Sequence, residues 1–213
     1  MKTVSFSSWG GKVIDNRKGR PAKAAKVEAP LTIDGGAVAA LMGWNGIVVA
    51  DPNADILSLT MAYLEEARKL SCGECSVCLI GIDRMLDLLR ARAAGKGSKA
   101  DLDEMDEIVR GVAANAKCNF GRAAALNPVG DALKYFRADF ANPAASAGKT
   151  TAKTYRVAVT APCMEACPAT LDIPGYIELI RNGRFRESLN LIRERCILPG
   201  VTGRVCTHPC EDA

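Results

Sequence analysis

Three cysteines within seven residues constrain this chain more than any other feature: Cys72, Cys75 and Cys78, in Ser71-Cys72-Gly73-Glu74-Cys75-Ser76-Val77-Cys78. A C-x2-C-x2-C run makes the backbone wrap tightly enough for three thiolates to point inward at one centre. Such a run meets three corners of an iron–sulfur cubane, and the fourth ligand comes from elsewhere in the chain. Gly73 suits a loop that turns sharply and brings backbone N–H groups toward sulfide. Cys118, between two predicted helices, is the candidate fourth ligand. Zinc is the competing metal, but structural zinc sites pair their ligands as two separate knuckles rather than three in a row. Unligated core thiols would not explain the spacing. The expected occupant is a [4Fe–4S] cluster.

The 213 residues carry nine cysteines, four between 72 and 118 and five between 163 and 210. An odd total weighs against a closed disulfide framework. Met1-Lys2-Thr3-Val4-Ser5 is not followed by an apolar signal-peptide core. The longest apolar stretch, 35–50, is interrupted by Trp44, Asn45 and glycines, so no transmembrane segment is expected. A cytoplasmic location is expected, where thiols stay reduced and free to ligate metal. Residues 1–28 hold seven basic and two acidic side chains and so carry +5, against +4 for the whole chain. Such an arm fits an acidic partner or a solvated extension. It lacks the interleaved aromatics of a base-stacking surface, and no nucleic acid is expected.

Aromatics make up only 5% of the chain, which favours a helical core of Ala, Leu, Ile and Val. Residues 1–34 read as a basic N-terminal arm, irregular but for one short strand near Thr3–Phe6. A β element is expected near 46–50. Apolar spacing predicts helices over 54–70, 76–94, 99–116 and from Asn127-Pro128 to about Phe140. Residues 142–154 are small, polar and breaker-rich, and read as a linker between a module at 35–141 and another at 155–213. In the latter, Ile173, Tyr176, Ile177 and Ile180 mark one helix that Gly183 ends, and Phe185, Leu189 and Ile192 mark another. The stretch from Leu198 onward reads as a cysteine-bearing loop. The fold class is therefore mainly α: two small helical iron–sulfur modules joined by a linker, with a short β element.

Ser71-Cys72-Gly73-Glu74-Cys75, the helix after Cys78, and Cys118-Asn119-Phe120-Gly121 before Asn127-Pro128 carry a resemblance. Over about 35–140 the chain resembles the C-terminal cluster domain of the NADH- and flavin-binding subunit of complex I, shared by related hydrogenases and formate dehydrogenases. The resemblance implies one [4Fe–4S] cluster on the four cysteines, fed by flavin mononucleotide. Ser76-Val77-Cys78-Leu79 departs from the family, which commonly has Pro before the third cysteine and Arg after it. The family's Gly-rich nucleotide-binding portion is absent from the 34 preceding residues, so NADH oxidation by this module itself is not expected.

Cys163-Met164-Glu165-Ala166-Cys167-Pro168 reproduces the C-x3-C-P tail of the bacterial ferredoxin run, with Val157 and Thr160 where the upstream pair would stand. Cys206-Thr207-His208-Pro209-Cys210 has the same spacing, and the two pairs supply four thiolates for a second cubane. These residues, with Ile173-Pro174-Gly175-Tyr176-Ile177 and Leu198-Pro199-Gly200-Val201-Thr202-Gly203-Arg204-Val205-Cys206, resemble the front iron–sulfur module of the glutamate synthase small subunit and dihydropyrimidine dehydrogenase. In the fuller relatives that module holds two [4Fe–4S] clusters beside an FAD domain. A further cysteine follows there, at about the point where this sequence reaches Ala213. The resemblance therefore implies an incomplete module, with FAD and NAD(P)H on a partner or on residues beyond 213. Cys196, where the relatives tend to have Asn, reads as a buried structural thiol. His208 reads as shaping the loop near a sulfur rather than ligating iron.

Together these readings make the chain an electron-transfer subunit or front portion of an NAD(P)H-linked flavin oxidoreductase. Its expected partners are a flavin-containing subunit or domain and a ferredoxin-like carrier. It would not turn over a substrate on its own. The alternative from another class is a zinc-binding docking subunit.

Overall fold

The computed structural model describes residues 4–17, 32–33, 36–71, 73–142 and 155–212, without the side chains of 32, 33, 36 and 37. Most of the basic arm and all but the first residue of the expected linker thus lie outside the described residues. The chain forms two compact units, Met1–Val159 and Thr160–Ala213.

The first unit packs helices against a small sheet. Its strands are β1 (Phe6–Ser7), β2 (Ile14–Asp15), β5 (Ala40–Gly43), β6 (Gly46–Val49) and β7 (Tyr155–Ala158), in the spatial order β2-β1-β6-β5-β7. A separate two-stranded ribbon joins β3 (Thr32–Ile33) to β4 (Gly36–Ala37). β5 and β6 form a hairpin with Ala40 opposite Val49 and Gly43 opposite Gly46. Gly46 has φ +132°, and a Cβ on it would stand 2.7 Å from the Ser8 carbonyl oxygen, so the turn requires glycine on both counts. β7 pairs in parallel with β5, Ala40 opposite Tyr155. Its position across residues 142–154 from the rest of the unit shows that the first fold reaches past that segment.

The expected β element at 46–50 is thus one strand of five. The short strand expected near Thr3–Phe6 meets β1 at Phe6, whereas β2, with two residues, and β5 and β7, with four each, have too little length for a periodicity to be read. Arg17, read as part of the basic arm, is folded in. Its guanidinium lies over the rings of Phe6 (4.8 Å) and Phe136 (4.5 Å), donates to the Tyr135 carbonyl at 2.7 Å and pairs with Asp15.

Among the described residues five α-helices complete this unit: α1 (Ile56–Leu70), α2 (Ser76–Ala93), α3 (Ala100–Asn115), α4 (Asn127–Tyr135) and α5 (Arg137–Ala141). Asp55 caps α1 by accepting from the Ser58 N–H at 3.1 Å. α1 turns Ile56, Leu59, Tyr63, Leu64 and Ala67 inward, and α2 answers with Ile82, Met85, Leu86 and Leu89. α1 packs on α2, α2 on α3, and α1 and α4 cover the sheet. The sequence reading joined α4 and α5 into one helix; the structure interrupts them at Phe136, whose backbone leaves helical geometry at ψ 29°.

The second unit contains α6 (Pro162–Ala166), α7 (Ile173–Arg181), α8 (Phe185–Arg193) and α9 (Pro199–Val205). Asp172 caps α7 by accepting from Gly175 at 2.9 Å, and Gly183, φ +72°, makes the turn into α8. The two helices pack as a hairpin. α9 lies where the sequence reading placed only loop: Pro199 starts a helix well, but the glycines at 200 and 203 hid it. No helix among the described residues is long and apolar enough to cross a membrane.

Candidate iron–sulfur centres

The first constellation sits where α1 ends and α2 begins. The Ser71 N–H closes α1 on the Ala67 carbonyl at 3.0 Å, and Gly73 then reverses the chain at φ +75°. Cys75 is the residue before α2, and Cys78 lies in its first turn, 4% exposed and part of the apolar core. Cys72 lies outside the described residues.

Cys118 follows α3, forty residues on from Cys78, and three observations tie its loop to this place. The backbone N–H of Lys117 is directed at the Cys75 sulfur. Together with the Cys78 N–H it holds the Cys75 thiol below its usual pKa, against a smaller effect of burial. Gly121 packs on Cys78. Arg122 pins the loop between them, donating through Nε to the Ala116 carbonyl at 2.8 Å and through its N–H to Cys118 at 3.1 Å. The loop then runs into a π-helical turn, Phe120–Ala124, closed by the Ala125 N–H on the Phe120 carbonyl at 2.7 Å. That turn is anchored from below by the buried Tyr63 hydroxyl, which donates to the Ala124 carbonyl. Single π turns of this kind recur at functional sites because they re-aim the residues around them.

In the second unit, α6 carries Cys163, and Cys167 stands at its C-terminal end. Cys206 follows α9, and Cys210 lies in the turn beyond. All four contribute to the electrostatic surroundings of Tyr176 in α7. Its phenol is pushed above its ordinary pKa by burial first, then by negative charge on Cys210, Cys167, Cys163 and Cys206. Burial also raises the Cys163 thiol, opposed by the N–H of Met164 and its own, and reinforced by Cys210 and Asp172. His208 takes a left-handed backbone, φ +51°, which aims its N–H at the Cys206 sulfur at 3.3 Å. Its ring is 53% exposed and lies 4.0 Å from Glu211. Cys196 is buried just after α8, its N–H bonded to Ile192 at 2.9 Å. Of the positions of the missing upstream pair, Val157 is in β7 and Thr160 donates to Glu165 at 2.6 Å.

The donor sets suit cubanes in chemistry: the candidate ligands of each unit are all thiols, and backbone N–H groups favour negative charge on the sulfurs of Cys75 and Cys206. Among the described residues, no three His, Cys, Asp or Glu side chains converge closely enough for a single metal ion. In a cubane each cysteine sulfur binds a different iron, so the four sulfurs stand further apart than the ligands of one ion. Sequence reasoning passed over Lys117, Ser71 and Tyr176 as neighbours of sulfur.

Residues 58–143 match the family model described as the NADH-ubiquinone oxidoreductase-F iron-sulfur binding region. Residues 140–213 match that of dihydropyrimidine dehydrogenase domain II, 4Fe-4S cluster. The chain is 41% identical over 215 residues to an NADPH-Fe(3+) oxidoreductase subunit beta of Geobacter sulfurreducens, covering 99% of this chain and 32% of that protein. It is 36% identical over 248 residues to an NADP(+)-dependent formate dehydrogenase subunit beta of Moorella thermoacetica, covering 100% of this chain and 35% of that one. A third relative, an NADH-quinone oxidoreductase component of Rhizobium meliloti, is 34% identical over 104 residues, 49% of this chain and 24% of its own. The chain thus spans about a third of the length of the first two relatives. Its two cysteine groups therefore lie in segments of two distinct iron–sulfur types joined in one polypeptide, one like the cluster-binding region of NADH-ubiquinone oxidoreductase and the other like dihydropyrimidine dehydrogenase domain II.

Proposed function

We propose that the chain is the iron–sulfur relay of an NAD(P)H-linked flavin oxidoreductase, with Cys72, Cys75, Cys78 and Cys118 holding one [4Fe–4S] cluster and Cys163, Cys167, Cys206 and Cys210 a second. The observation that carries this reading is that each compact unit holds its own group of reduced cysteines, with a backbone N–H favouring charge on Cys75 in the first and donating to Cys206 at 3.3 Å in the second. Bound there, a [4Fe–4S] cluster supplies one-electron exchange at a potential set by its surroundings. The chain's own residues do the rest. Cysteine thiolates bind, the N–H groups of Lys117, Cys78 and His208 offset negative charge on sulfur, and the buried flank around Cys78 keeps water away. FAD and NAD(P)H belong to a partner or to residues beyond 213, and a ferredoxin-like carrier stands at the other end of the route. The names of the relatives, an NADPH-Fe(3+) oxidoreductase subunit and an NADP(+)-dependent formate dehydrogenase subunit, support a nicotinamide-linked role.

The test is iron and acid-labile sulfide on anaerobically purified protein, with a spectrum before and after dithionite. Roughly eight irons, with brown absorption that bleaches on reduction, are expected. Cys75→Ser should lose about half the iron and Cys163→Ser the other half. Zinc without iron after anaerobic reconstitution would replace this reading with a structural docking role.

A further inference from the structure

Among the described cysteines of the first centre, Cys78 is the buried one, and two unlike constraints meet on its sulfur. From one side Ser71, the residue that ends α1, holds its hydroxyl oxygen 4.0 Å from Cys78 Sγ with donor geometry. From the other, Gly121 comes so near that an added Cβ would stand 3.5 Å from both Cβ and Sγ of Cys78 and 2.5 Å from the Cβ of Ala116. The contacts to Cys78 would be ordinary, but the contact to Ala116 is one that real side chains do not make. Gly121 lies within the π turn and is not among the glycines with positive φ, so its backbone alone does not demand glycine. The demand is steric and comes from Ala116: the turn that carries Cys118 keeps Gly121 against Cys78 in this form only while residue 121 has no side chain to meet the Ala116 methyl.

We propose that Ser71 and Gly121 form a seat for the Cys78 sulfur, and that this seat sets the reduction potential of the first cluster. The inference rests on the reading of Cys78 as a ligand. A hydroxyl proton directed at a ligand sulfur stabilises the extra negative charge of the reduced state, so Ser71 raises the potential. Gly121 is a positioning residue that fixes how closely the Cys118 loop approaches Cys78.

The experiment is a redox titration followed by electron paramagnetic resonance on the full chain, with iron content measured on the same samples. A Cys163→Ser background isolates the first cluster. Ser71→Ala should keep its iron while its potential moves negative, and Ser71→Thr, which retains the hydroxyl, should stay near the parent. Gly121→Ala should lose iron or shift in potential, and adding Ala116→Gly, which removes the clashing methyl, should restore it. Gly111→Ala is the control, since a Cβ there meets nothing within 4 Å. Parental iron and parental potential in both Ser71→Ala and Gly121→Ala would overturn the seat while leaving the relay intact. A parent chain that takes up no iron would overturn both.

Discussion

At the scale of single residues, the first unit is tied together by polar groups placed deep inside it. Arg92 of α2 is 4% exposed and donates to the carbonyls of Phe140 (2.6 Å), Ala141 (3.2 Å) and Ser98, with Asp101 3.6 Å away. One guanidinium thus joins the end of α5 to the loop before α3. Arg92→Met keeps the apolar stem but strands those carbonyls, and we expect it to cost about 3 kcal/mol in chemical denaturation. A loss under half of that would show that water replaces the arginine. Tyr155 makes a comparable tie, its hydroxyl accepting from the Asp55 N–H at 2.7 Å. Burial, the largest cause, pushes its phenol up to about 12. A raised acid pKa means the folded state favours the neutral phenol. Its contribution is therefore complete below the unfolded value near ~10 and is lost as pH climbs from there toward about 12. Tyr63, also raised by burial, acts in the same direction. Tyr155→Phe should flatten part of the alkaline fall in stability, at a cost of about 1 kcal/mol at neutral pH from the lost hydrogen bond. An equally steep fall in the variant would remove Tyr155 from the account.

Between elements, close packing decides where the centre can form. α2 carries Cys78 at its start, and its next turn is set against α3 through Gly81, where a Cβ would meet the Val112 side chain at 2.5 Å. α3 in turn delivers the Cys118 loop, so the α2–α3 separation controls how the two halves of the proposed ligand set approach. Gly81→Ala is expected to cost about 1–3 kcal/mol by forcing these helices apart. Gly111→Ala, on an open face of α3, should stabilise by about 0.5–1 kcal/mol through helix propensity alone. Thermal melts of the two variants check the contrast, and a neutral Gly81→Ala would show that Val112 moves aside. β7 matters for the same reason. Paired to β5 and packed on α1, it brings residues far along the chain into the first unit's core.

Across the whole molecule the two units differ in how much core they have. Met1–Val159 buries a continuous cluster from Phe6 to Val159. Thr160–Ala213 buries Ala161, Ile173, Leu191 and Cys196, while Phe185, Ile197, Leu198, Val201 and Val205 remain more than 60% exposed. A unit this short, with so few buried side chains, is of the kind that needs a staple such as a metal centre. Stripping the iron with a chelator should therefore melt the helices of the second unit and leave the first largely folded. Circular dichroism and amide hydrogen exchange would register this as partial loss of helix with protection kept in α1 and α2. Full helicity in the iron-free chain would show that the second unit stands without its cluster.

The iron–sulfur character of the chain was legible in the sequence because cysteine spacing is local. Cys72, Cys75 and Cys78, and the two C-x3-C pairs, announce sulfur-ligated centres without reference to a fold. The match to two iron–sulfur family models agrees with what those spacings imply. The helices were legible as well, since α1, α2, α7 and α8 each present apolar residues at helical spacing. The five-stranded sheet was legible only in part, through the strand expected near Thr3–Phe6 and the element at 46–50: Ile14–Asp15 is too short to carry a pattern and pairs only because β1 supplies a partner. Nor could the sequence place Lys117 at Cys75 or Gly121 and Ser71 at Cys78. Those contacts depend on how closely helices and loops pack, which only the folded chain decides.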